Sequence, residues 1–369
     1  DSKEALCGWF EHVPSEVFER VPSLAYRHAW ALIRLGRYSR ADQMIAILED
    51  AWSNDQGSAS VGQLLLLKAY RSFFIRPTDC AALAAQAVRH LPEDERAAHS
   101  PAPFLPEIGY FFSGQLPAVE LAFDQTRAYL AGIPHIWVQL SERVLSGLIL
   151  TKRGRLEDAA VLLEDVLRTA DNHAEYSNQL ALNYLGRIRI KQMQLDAAAV
   201  CLGHAQEQLE QSLSPLSTPL NAISLAELNW ARGETSLALR DVQRAVGIAE
   251  QLPVPFFRDP ALSLQARMWI WLGEERRARR WARSSGIDPT LPLDPNRQYE
   301  YVTYIRWLIM NREFATARTM LEVVTAYATE QEQDGELVEL FLLRAIVALG
   351  EGDTELALAE LGRSLQLGQ

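Results

Sequence analysis

At 369 residues and 48% hydrophobic content, the chain has room for two or three globular domains or for one extended repeat array. Its net charge of −11 argues against a surface that grips nucleic acid, which requires a basic stripe. No apolar run nears the roughly 18 residues of a membrane span, and Cys7, Cys80 and Cys201 lack any disulfide or zinc spacing, so a soluble protein of the reducing cytoplasm is expected.

The opening Asp1 to Glu4 reads neither as a signal peptide nor as a natural start, which suggests an excised or processed chain. Residues 1–21 form a partial unit: Leu6 to Phe10 have helical character, Pro14 interrupts, and Ser15 with Glu16 can open a short helix that caps the repeats. From Pro22 onward the pattern is a helix, a glycine turn and a second helix, repeated to the C-terminus. The first unit spans about 22–52. In the second, Gln63 to Leu91, the second helix is expected to start at Thr78-Asp79.

The third unit fits least well, because Pro101, Pro103 and Pro106 crowd its start and a helix is expected only after Pro106. Units four to six occupy about 134–251, with polar connections at 171–173 and 213–217. Asp259-Pro260 reads as an N-cap followed by a first-turn proline, opening unit seven. A long loop from Gly286 to Asn296 carries three prolines. Unit eight takes Tyr299–Ile309 and Glu313–Ala328, and unit nine Glu336–Leu349 and Thr354–Leu367.

The repeat is fixed by an anchor column: Ala41, Ala81, Val119, Ala159, Ala198, Ala238, Ala278, Ala317 and Ala357, spaced 40, 38, 40, 39, 40, 40, 39 and 40 residues apart. Helical amphipathicity alone repeats every 3.6 residues and does not hold such a register. Twelve residues before the anchor the side chain is small in seven of nine units, which lets two helices approach closely. Five before it stands glycine in six of nine, supplying the left-handed backbone that ends a helix. Four after it every residue is apolar, from Ile45 to Leu361. The expectation is an all-α, right-handed superhelix of about nine helix-turn-helix pairs, with 1–21 as capping helices and 22–369 as a single elongated repeat domain.

Catalysis is not expected. The chain has no phosphate loop of the GxxxxGK[ST] type, no GxGxxG, no HExxH and no GxSxG. The seven histidines are dispersed, with no pair three or four residues apart, so neither a metal nor a cofactor is anticipated. The arginine run Arg276 to Arg280 reads as a solvated helix face.

In stacked helix pairs the first helices line the concave side, where repeat proteins usually bind. Eleven residues before the anchor this column runs Trp30, Tyr70, Ile108, Leu148, Arg187, Glu227, Arg267, Arg306 and Ile346, so four successive units place a charge there. Neighbouring columns add Phe73, Phe74, Phe111, Phe112, Lys152, Lys191, Trp230 and Trp271. The columns give two candidate sites. Arg187, Glu227, Arg267 and Arg306, walled by Trp230 and Trp271, suit a small polar ligand. Tyr70, Phe73, Phe74, Phe111 and Phe112 form an apolar half suited to a peptide or protein. Each has a plainer reading, as an ion-pair row between repeats and as core.

The small residue, glycine turn and anchor alanine are the tetratricopeptide pattern, stretched from 34 to about 40 residues. More specifically, Trp9 to Pro22 leading into Ala29, Gly36 and Ala41 resembles the opening of the helical repeat region in MalT-like large ATP-binding LuxR-family regulators. That resemblance implies a bacterial transcriptional activator in which the superhelix senses a small-molecule inducer and relays it to an ATPase and a LuxR-type DNA-binding domain lying outside this chain. It also implies contacts with those domains or with a second copy. ATP would belong to the missing ATPase, and this chain itself would bind neither cofactor nor DNA. The alternative is a tetratricopeptide scaffold that holds a peptide or protein without a small-molecule ligand.

Overall fold

The computed structural model describes residues 8, 10, 13–53, 58–73, 75–91, 105–129, 136–169, 175–212, 218–251 and 255–368, and among them the chain is helices joined by turns, with no strand. A short helix α1 (Ser15–Arg20) leads into α2 (Pro22–Arg34) and α3 (Tyr38–Ala51), α4 (Ser58–Phe73) and α5 (Pro77–His90), and α6 (Leu105–Phe112) and α7 (Leu116–Tyr129). Then come α8 (Ile136–Lys152) and α9 (Leu156–Thr169), α10 (Glu175–Lys191) and α11 (Leu195–Ser212), and α12 (Thr218–Ala231) and α13 (Thr235–Gln251). The array ends with α14 (Pro255–Trp271) and α15 (Glu275–Ser285), α16 (Gln298–Met310) and α17 (Phe314–Glu330), and α18 (Asp334–Glu351) and α19 (Thr354–Leu367). Even-numbered helices are the first of each hairpin.

The anchor column is buried throughout: eight of its nine residues are fully inaccessible and Ala357, in the last hairpin, is 8% exposed. The small-residue column is buried as well, including Gly147 and Gly186. Its purpose is visible at Gly186, where an added Cβ would sit 2.7 Å from Leu202, the apolar residue four after the anchor on the paired helix. The two columns are the two halves of one interhelical contact.

The turn column explains itself through the backbone. Gly36, Gly114, Gly154, Gly233, Gly273 and Gly352 all have positive φ, and the two non-glycine residues Met193 and Arg312 adopt the same conformation at 58° and 61°. In each case the next N–H donates to the carbonyl five residues back, as from Arg37 to Leu32 at 2.8 Å and from Gln194 to Arg189 at 2.8 Å. Arg76 is the exception, extended at φ −142°. Pro77 follows it, and the residue before a proline is pushed into extended backbone.

Several boundaries differ from the sequence expectation. Helix α14 begins at Pro255, so Pro260 lies inside it and not at its first turn. The helix continues through that point because a proline near the N-terminus forfeits only one early hydrogen bond. Helix α6 takes Pro106 into its first turn, where no N–H is needed, and begins at Leu105. Helix α5 starts at Pro77 and not at Thr78-Asp79, for the same reason. The connections at 171–173 and 213–217, Pro101 and Pro103, and most of 1–12 lie outside the described residues. No helix of the described residues is long and apolar enough to cross a membrane.

Stacking the hairpins brings the array round until distant repeats meet. Tyr327 Oη donates to the Ser113 carbonyl at 2.7 Å and Gln333 Nε2 to the Gly114 carbonyl at 2.6 Å, while Gln298 Nε2 reaches Gln333 Oε1 at 2.8 Å. One hairpin earlier, the Thr78 N–H donates to Asn296 Oδ1 at 3.3 Å. One hairpin later, Lys152 and Arg153 pair with Glu336 and Glu332 at 2.7 and 2.5 Å. These contacts form a seam that closes the superhelix around an inner bore.

Candidate functional site

Two contacts place α8, α14 and α18 around that bore. Lys152 on α8 touches Glu336 on α18, and Arg267 on α14 touches Glu339 on α18, although neither pair of helices is adjacent in the stack. The inner wall is charged. Arg187 on α10 pairs with Glu227 on α12, Nε to Oε2 3.2 Å, one repeat apart at equivalent positions. Arg267 does not extend that row. It turns to α18, with Nη1 3.3 Å from Glu339 Oε1, and the same oxygen accepts from Arg306 Nε at 3.1 Å and Nη2 at 2.9 Å. One carboxylate oxygen therefore serves two guanidinium groups.

Tyr299, at the start of α16, supplies the aromatic plane: the Arg267 guanidinium lies 3.9 Å from its ring centroid, within the range of a cation–π contact. Arg267 Nε also donates to Thr303 Oγ1 at 2.8 Å. The Arg187 and Arg267 side chains are 32% and 19% exposed, so they line a water-accessible space and are not sealed in the core.

The electrostatics join these groups into one network. Lys152 above all holds Glu336 down to about 2; burial opposes it, and Lys191 and Arg267 add to it. For Glu339, burial would raise the carboxyl, but Arg267 and Arg306 outweigh it and the net shift is downward. Glu227 raises Arg187, with further help from Tyr184, Tyr299 and Glu336. Burial pushes the Tyr299 hydroxyl up to about 12, against Arg267. These groups come from six hairpins, and their ion pairs bring α8, α10, α12, α14, α16 and α18 to one interior.

Of the residues expected from sequence, Arg187, Glu227, Arg267 and Arg306 are brought together here. Trp230 and Trp271 form an edge-to-face pair with centroids 5.4 Å apart, at the ends of α12 and α14, with Trp271 74% exposed. In the apolar group, Phe111 is 5% exposed and belongs to the core between α6 and α10, which corrects its assignment to an open groove. Phe112 packs against it at 5.1 Å and meets Phe73 at 5.5 Å, while Tyr70 meets Trp30 at 5.0 Å, so these rings serve the stacking of successive repeats. Phe74 lies outside the described residues. The arginine run is exposed on either side of buried Ala278.

Sequence reasoning did not single out Tyr299, Glu336 or Glu339. They occupy the early turns of α16 and α18, and they reach the site only because the array closes on itself. A separate open cavity of about 380 Å³, lined by Leu167, Asn178, Leu182, His204, Glu207 and Gln208, shares none of the site's residues. Among the described residues no cluster of three or more His, Cys, Asp or Glu side chains is arranged to hold a metal ion.

Tandem helical hairpins with a buried small-residue column, stacked around a polar bore, define a tetratricopeptide-type superhelix. The family model of the MalT-like TPR region matches residues 75–369, and the chain belongs to that family. No curated protein matches the chain. Among solved structures it is similar to a Rap protein complexed with Competence and Sporulation Factor, at a TM-score of 0.65 and 9% identity over 94% of this chain and 97% of that one. Aspartyl phosphate phosphatase F from Bacillus subtilis aligns with a TM-score of 0.48 and 9% identity, over 97% of this chain and 95% of that one.

Proposed function

We propose that this chain is the effector-sensing region of a bacterial transcriptional activator of the MalT/LuxR type, and that a small-molecule inducer binds in the bore. The observation that carries this reading is the Arg187–Glu227 and Arg267–Glu339–Arg306 network, a set of polar groups with an aromatic plane on a solvent-accessible inner wall. Family membership supports a regulatory role, and the similar Rap protein is one complexed with a factor. The signal would pass by differential affinity: a ligand that bridges α10, α14 and α16 favours one curvature of the array. An ATPase and a DNA-binding domain outside this sequence would receive that change in shape.

The test is a thermal-shift screen of the chain against sugars, organic acids, aromatic metabolites and nucleotides, with calorimetry on each hit. A ligand present at about 100 times its dissociation constant adds roughly 2.7 kcal/mol to the folded state. A chemically coherent set of hits, weakened at least tenfold by Arg267→Ala, is the expected result. No hit, together with stabilisation by a peptide or protein partner, would replace the small-molecule sensor with a scaffold.

A further inference from the structure

The inner wall is unevenly charged. The network joins five cations, Lys152, Arg187, Lys191, Arg267 and Arg306, to three carboxylates, Glu227, Glu336 and Glu339. Two guanidiniums share one oxygen of Glu339. Lys191, exposed at the end of α10 one turn beyond Arg187, helps to hold Glu336 low, yet among the described residues it has no ion-pair partner within 4 Å. In a chain whose overall charge is −11, this network is cationic, with five positive groups to three negative ones.

Two of the three carboxylates, moreover, come from one place. Glu336 and Glu339 both lie on α18, in the last hairpin, and reach across to cations on α8, α14 and α16. Adjacent hairpins need no such contact to stack, as their apolar columns already pack.

Resting on the effector-sensing reading above, we propose that the ligand is a small-molecule anion bearing carboxylate or phosphate groups, and that Glu336 and Glu339 are its internal substitutes in the unliganded chain. The anion takes the guanidinium forks of Arg267 and Arg306 and the ammonium groups of Lys152 and Lys191, geometry suited to carboxylate and phosphate oxygens. It thereby displaces α18 from α8, and the seam is the part of the array that responds. Tyr299 then offers its ring face beside the bound cations.

The probes are citrate and inorganic phosphate, measured by calorimetry and thermal shift at constant ionic strength against sodium chloride. Citrate or phosphate is expected to bind the unmodified chain, and to bind the double variant Glu336→Gln/Glu339→Gln at least tenfold more tightly, because the competing carboxylates are gone. Lys191→Gln, a change at an exposed and unpaired position that leaves folding intact, is expected to weaken the same probe about fivefold or more. A response to citrate alone identifies a carboxylate ligand and a response to phosphate alone a phosphate ester; both support the proposal. If the anions act no differently from chloride on the unmodified chain and on both variants, the proposal is overturned. An uncharged metabolite that binds and is lost in Arg267→Ala, in the absence of any anion effect, overturns the anion while leaving the sensor reading in place. No binding from either class removes both.

Discussion

Gly335, in the first turn of α18, sits directly against the end of α8. A Cβ at this position would lie 2.7 Å from the Thr151 carbonyl oxygen, 2.9 Å from that of Lys152 and 3.0 Å from the Gly154 nitrogen. All three are backbone atoms, so none can move aside by a change of rotamer, and the seam has to open by several tenths of an ångström. Overpacking of this kind costs about 1–3 kcal/mol. Opposing it, alanine in place of glycine favours the helix by at most about 1 kcal/mol, and by less near an N-terminus. The clash wins. Gly335→Ala should therefore lower the unfolding midpoint by roughly 2 °C or more. It should also speed hydrogen exchange at 150–154 and 332–336 while leaving hairpins elsewhere unchanged. The control is Gly362→Ala in α19, where nothing lies within 4 Å of the new methyl, and there the helix term alone should stabilise. If Gly335→Ala behaves like Gly362→Ala, with unchanged exchange at both segments, the seam does not hold the array closed.

The structure sets four further outcomes. Met193 is 69% exposed in left-handed backbone, which costs an L-residue about 1–2 kcal/mol, so Met193→Gly should raise the unfolding free energy by a net of about 0.5–1 kcal/mol, read from a higher denaturation midpoint. At the equivalent position Arg76 is extended, and Arg76→Gly should have the opposite sign. Glu336, held at about 2 by Lys152, has a folded pKa below its unfolded value of about 4.3, so the Lys152–Glu336 contact contributes fully above pH 4.3 and fades as pH falls towards 2. Acid titration followed by small-angle scattering should show the seam loosening in that window, and Lys152→Met should remove that component. Cys80 is fully buried, donates to the Leu105 carbonyl and has its thiol pushed far up by burial, so thiol reagents should label it only at the rate of unfolding.

Much of this fold was legible because each repeat solves the same local problem. The small residue at Gly186 and the apolar residue at Leu202 lie sixteen apart in sequence and meet in space. A period near 40 carries that pair from hairpin to hairpin. Glycine fixes the turn, but the turn is a backbone state and not a residue type, which is why Met193 and Arg312 keep it without glycine. Where a neighbour overrode the column, the cause is local too: Pro77 holds Arg76 extended. Pro260 misled in the other direction, because a proline six residues into a helix resembles one at its start.

The site was half legible, and the missing half has one physical source. Phase along the first helices places Arg187, Glu227, Arg267 and Arg306 on a common wall, and an ion-pair row between repeats is the plain expectation. Arg187 and Glu227 form that row; Arg267 leaves it for Glu339, two hairpins away. What redirects Arg267 is the closure of the array, set by the accumulated rotation of successive hairpins, and a sequence period carries no record of that rotation. Glu336 and Glu339 are accordingly invisible as site residues when α18 is read alone, where they resemble any acidic residues in the early turns of a helix. Closure converts them into the far wall of the bore. A contact that depends on the sum of many small inter-repeat rotations is also one that a small change in curvature can break, which is the property an effector site at this seam would use.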